Sequence, residues 1–115
     1  MTRFERTFKM WDFYITHSQL LLRSHRTVTH PKNIDIIFGD VDYIDLPTTL
    51  FGLDLVEAGP EDYRKAEQVM AGPVAAERVF VIETKGRRYL VVAGGMVIEE
   101  NELMMRESSL EKGPP

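Results

Sequence analysis

The feature that most constrains this chain is the alternation of apolar side chains in two runs near its start. In Trp11-Asp12-Phe13-Tyr14-Ile15 the residues Trp11, Phe13 and Ile15 fall two apart, and in Ile34-Asp35-Ile36-Ile37-Phe38 so do Ile34, Ile36 and Phe38. A pleated strand turns each trio to one face, whereas a helix scatters it around its circumference. Between the two runs, Leu20 to His25 keeps strand composition after a reversal at His17-Ser18-Gln19. Three consecutive strands are expected here, an antiparallel meander with one greasy face on which the rest is laid.

The pattern extends along the chain. The first strand is expected over Thr7 to Thr16 and the third over Ile34 to Phe38. Gly39-Asp40 marks a bulge or tight turn, and Val41 to Leu46 then continues the strand or forms a fourth before Pro47 stops it. Thr48 to Gly52 reads as loop and Leu53 to Val56 as a short strand. A helix is expected from Glu61 to Ala71. Pro60 sits near its first turn, Glu61 and Asp62 lie at the positive end of its dipole, and Gly72-Pro73 ends it. Its apolar face, Tyr63, Ala66 and Met70, is narrow and suits a sheet edge or barrel mouth. Val79 to Thr84 and Tyr89 to Ala93 flank Lys85-Gly86-Arg87-Arg88, a hairpin signal. Gly94-Gly95 predicts a sharp bend before Met96-Val97-Ile98.

In 99–112 the stripe Leu103, Arg106 and Leu110 and the propensities of Glu, Leu and Met predict a C-terminal helix; residues 113–115 read as a disordered tail. The fold class is therefore mainly β (α+β). An antiparallel bent sheet or small barrel of about six or seven strands, with one internal helix (61–71), forms a single globular domain over 1–112.

At 115 residues, 43% hydrophobic and 28% charged, the chain suits one globular domain with a real core. It contains no cysteine, which removes disulfides, thiolate metal sites and a cysteine nucleophile. The N-terminus lacks the apolar run of a secretory signal. The longest apolar stretch, Tyr89 to Ile98, has ten residues, against roughly 20 for a bilayer span. A cytoplasmic protein with no membrane span is expected.

Charge is segregated. Residues 1–32 carry six basic and two acidic groups, and 33–63 eight acidic and none basic. Residues 64–92 carry six basic and three acidic groups, and 93–115 two basic and five acidic. Such a chain either pairs its own halves or presents an acidic surface to a basic partner. The basic residues are scattered rather than striped among aromatics, so nucleic acid is not the expected partner.

Asp40-Val41-Asp42-Tyr43-Ile44-Asp45 is the densest acidic cluster, without the glycine and distant glutamate of an EF-hand. Charge on a solvated strand face explains it more simply than a metal does. His17, His25 and His30 show no ligand-like spacing, and no Gly-x-Ser-x-Gly elbow supports Ser18 or Ser24 as a nucleophile. No catalytic residues, metal site or cofactor are assigned.

The expected function is a non-enzymatic binding module, immunity- or inhibitor-like at most, that recognises a basic protein through Asp40, Asp42 and Asp45. Self-association is compatible with the same pattern. The alternative is a small-ligand or lipid-binding β-barrel with a cavity lined by Trp11, Phe13 and Tyr43.

Overall fold

The structure, a computed structural model, describes residues 2–110. Among them six strands and one α-helix follow as β1 (Thr2–Tyr14), β2 (Gln19–Ser24), β3 (Asn33–Asp45), β4 (Thr49–Val56), α1 (Pro60–Met70), β5 (Val79–Thr84) and β6 (Arg87–Asn101). A 3-10 turn, Ala76–Arg78, leads into β5. The strands pair antiparallel in the order β1-β2-β3-β6-β5-β4, and β4 returns to β1. The fold is thus mainly β with one helix. The sheet curls until its ends meet, but the resulting ring is flattened, 43 × 39 × 19 Å overall, rather than a round barrel. No helix among the described residues is long and apolar enough to cross a membrane.

Side chains fill the ring. Phe8, Leu20, Leu22, Ile36, Phe38, Leu50, Ile82 and Val91 form its buried centre, each contributing roughly 1.5–3 kcal/mol of transfer free energy. A second core lies on the opposite face of β5 and β6, where Ala66, Tyr63 and Met70 of α1 meet Val79, Val81, Leu90 and Val92. This explains the unbroken apolar run Leu90 to Val92: alternate residues serve different cores. The helix therefore lies flat on the outer face, not at an edge or mouth. Its start is fixed by Asp62, whose Oδ2 accepts the Gly59 N–H at 2.8 Å, and its end by Ala71 at φ 56°.

The meander is present, but β1 buries a different set from the one its alternation suggests. Phe8 is fully buried, with Phe4 and Met10 packed beside it, while Phe13 and Ile15 are 39% and 78% exposed. A bulge splits the trio. Met10 pairs with Leu22, Asp12 with Leu21 and Phe13 with Leu20, so Trp11 is an extra residue that shifts the alternation by one: Trp11 stays on the outer face, and Phe13 turns to the inner face at the open end of the strand. Ile15 has left the strand for the turn. On β3 the expected trio holds: Ile36 and Phe38 are buried and Ile34 packs against them.

Strands run longer than local signals suggested. β3 passes through Gly39-Asp40 without the expected bulge or turn, Gly39 pairing with Gly95 and Val41 with Ala93 in register, and its bulge falls later, between Val41 and Tyr43. β4 begins at Thr49, so residues 49–52, expected as loop, pair with β1. β6 continues through Gly94-Gly95 without the expected bend. Gly94 is required for another reason: a Cβ there would lie 2.8 Å from the Asp40 Cβ. The β5–β6 hairpin closes on Lys85 and Gly86, at φ 52° and 74°, the paired positive values of a two-residue type I′ turn.

The expected C-terminal helix is absent from the described residues. Residues 99–101 end β6, and 102–110 form an irregular strap across the outer face of β2 and β3. Side chains capture its backbone before a helix can: Asn33 Nδ2 donates to the Leu103 carbonyl at 2.9 Å and Arg23 Nη1 to that of Glu107 at 2.6 Å. Leu110 is buried at its end. Residues 111 and 112 of the expected helix, and the tail 113–115, lie outside the described residues.

Candidate ligand groove and the acidic segment

The acidic segment is engaged within the molecule. Arg78, carried on the 3-10 turn, donates from Nη1 to Asp40 Oδ2 at 3.1 Å and from Nη2 to Asp42 Oδ2 at 2.6 Å. Lys65 of α1 reaches Asp45 at 3.0 Å. Arg3 pairs with Asp54, Arg23 with Asp35, Arg64 with Glu61 and Arg88 with Asp62. Seven of the eight carboxylates in 33–63 are therefore ion-paired, Glu57 being the exception. Of the two dispositions the segregated charge allowed, the structure adopts internal pairing for this stretch.

The pairs leave their mark on titration. The Arg88 hydrogen bond holds the Asp62 carboxyl below its ordinary range despite burial, and the Arg3 hydrogen bond does the same for Asp54. Burial pushes Asp35 upward, but hydrogen bonds from Arg23 and Asn101 outweigh it and its pKa ends lowered. The Arg23–Asp35 pair is fully buried and bidentate, at 2.7 and 2.9 Å, with Asn101 Nδ2 donating to Asp35 at 2.8 Å.

With the acids so committed, cationic groups remain on β1 and on the loop from β2 to β3. Arg6, Lys9, Arg26 and Lys32 have no carboxylate partner among the described residues. Arg6 and Lys9 line a groove of about 740 Å³ together with Trp11, His25, Thr27 and His30. The bulge sets Trp11 there. Its ring stacks on the His25 imidazole at 5.5 Å and 7°, and the Arg23 guanidinium lies 5.5 Å from its centroid. Met105 brings the strap to the groove's border. The Ser24 hydroxyl is bonded to Arg6 Nε at 3.0 Å rather than to an imidazole.

The aromatic trio singled out in the sequence is not brought together. Trp11 lines the groove, Phe13 sits at the far end of β1 and outside it, and Tyr43 packs in the core beneath α1. The interior cavity imagined behind Trp11 and Phe13 is occupied by the ring's own core. His17 packs against Tyr14 at 4.6 Å, away from the other two histidines' groove. Arg6, Lys9 and His25 were not selected from the sequence. The available signal was the alternation Thr7, Lys9, Trp11, a polar and aromatic strand face, together with the basic excess before residue 33.

No group of three or more metal-ligating side chains converges among the described residues. No protein-family model matches this sequence, and no curated protein or solved structure matches it.

Proposed function

We propose that this protein is a non-catalytic binding module that holds a small ring-bearing ligand in the groove beside Trp11. The observation that carries the reading is the bulge. It places the chain's one tryptophan on the outer face, in a sector covered neither by α1 nor fully by the strap. A bulge is a specific, costly irregularity and is concentrated at sites where a side chain is re-aimed. The groove's volume, about 740 Å³, falls in the range of small-molecule sites. Docking of a basic protein on Asp40, Asp42 and Asp45 is less favoured, because that partner has to displace Arg78 and Lys65 from them.

The test is a thermal-shift screen of mono- and bicyclic aromatic fragments on the full chain and on Trp11→Leu. Fragments that occupy the groove raise the wild-type melting temperature, by linkage to the folded state, and lose that effect in the variant. Equal shifts in both proteins, or no shift with any fragment, refute the assignment.

A further inference from the structure

Resting on the groove as the binding site, we propose that its ligand carries an oxyanion, and that the class it takes is a ring-bearing phosphate monoester.

Three observations converge. First, Lys9 pairs in register with Arg23 across β1 and β2. Arg23 is neutralised by Asp35, whereas Lys9 is exposed, lines the groove and has no carboxylate partner among the described residues, so its ammonium faces the groove with its charge uncommitted.

Second, Arg6 is held rigid by uncharged acceptors alone. Its Nε donates to Ser24 Oγ at 3.0 Å and its Nη2 to the carbonyls of Ser24 at 3.2 Å and Lys32 at 3.0 Å. Its Nη1 has no hydrogen bond among the described residues. A guanidinium fixed in place, uncompensated and with one nitrogen open is prepared to receive an oxyanion at little entropic cost.

Third, the groove's remaining polar lining is rich in donors. The Thr27 hydroxyl accepts the His30 backbone N–H at 3.1 Å and hydrogen-bonds the Thr29 hydroxyl at 3.3 Å, so of this pair's two hydroxyl protons one is left for another acceptor. Glu5 is the one carboxylate in the lining. A phosphate monoester offers three acceptor oxygens to these donors, and the ring it esterifies has the Trp11 indole as its neighbour.

The experiment titrates the full chain with phenyl phosphate and with its neutral counterpart phenol, following the emission of the single tryptophan. Phenyl phosphate is expected to bind saturably and at least roughly tenfold tighter than phenol, weakening as salt rises. Lys9→Ala is expected to weaken phenyl phosphate roughly tenfold while leaving the melting temperature unchanged, since Lys9 is exposed and has no ion pair among the described residues. Equal binding of the two probes, or unchanged phenyl phosphate affinity in Lys9→Ala, overturns the anion inference and leaves the groove standing. No response to either probe overturns both. Capture on phosphatidylcholine vesicles doped with phosphatidic acid, without any response to soluble phenyl phosphate, overturns it in favour of a membrane headgroup.

Discussion

Replacing Asp35 by alanine removes the acceptor of three charge-assisted hydrogen bonds, from Arg23 Nε, Arg23 Nη2 and Asn101 Nδ2. What remains is a guanidinium with no solvent exposure, satisfied only by the Glu107 carbonyl and the face of Trp11. Breaking a buried ion pair from one side costs about 3–5 kcal/mol, chiefly because the surviving charge is stranded. Unfolding entropy of about 2.1 cal/mol/K per residue over this length makes each kcal/mol worth roughly 4 °C, so the melting temperature should fall by roughly 12–20 °C. Arg23→Met with Asp35→Leu strands no charge, only the neutral Glu107 carbonyl and one Asn101 amide proton, and should lie within about 2 kcal/mol of the wild type on the same reasoning. Urea unfolding of the wild type, Arg23→Met, Asp35→Leu and the double variant closes the cycle, with Asp35→Ala measured beside it. Hydrogen exchange over 102–110 reports whether the strap loosens when its Arg23 anchor goes and Asn33 alone remains. An Asp35→Ala cost under about 1 kcal/mol, or a double variant worse than either single, refutes the claim that the pair's cost is a stranded buried charge.

Gly94→Ala should destabilise by about 1–3 kcal/mol, because the new methyl meets Asp40 and crowds the Arg78 clasp; Gly95→Ala, with nothing within 4 Å, is its control, and equal costs at the two sites contradict the packing argument. Acid should unfold the protein early. Asp35 and Asp62 have folded-state pKa values held down by Arg23 and Arg88, so their stabilisation is complete above the unfolded carboxylate value of about 3.9 and is lost as pH falls through the lowered folded values. Urea midpoints measured downward from pH 5 should drop more steeply in the wild type than in Asp62→Asn, and parallel curves would contradict this.

Much of the fold was legible because periodicity reports which faces are wet. β5 and the helix matched to within a residue and the β5–β6 turn fell where expected but two residues shorter, since Lys85-Gly86, Pro60 and Gly72 are local signals that tertiary packing had no reason to override. What failed were features created by partners distant in sequence. The bulge at Trp11 is defined only by its pairing with Leu21 and Leu22 on β2, so the alternation Trp11, Phe13, Ile15 looked regular. The strap's helical stripe lost to Asn33 and Arg23, which lie 70 and 84 residues away from their strap partners. The acidic run likewise looked free because Arg78 and Lys65, its neutralising groups, are separated from it by β4 and the helix start. The same pairing turned the reading of the surface around. With the acids committed, Arg6 and Lys9 of β1 are among the basic residues left without a carboxylate partner among the described residues.

The claim on which the functional account turns is that binding happens at the outer groove and not on the acidic stretch. Amide and indole chemical-shift mapping of the full chain with phenyl phosphate tests it residue by residue. The account predicts perturbations concentrated on Lys9, the Trp11 indole N–H and His25, with Asp40, Asp42 and Asp45 unmoved. Shifts centred on 40–45, or spread evenly over the ring, would contradict it.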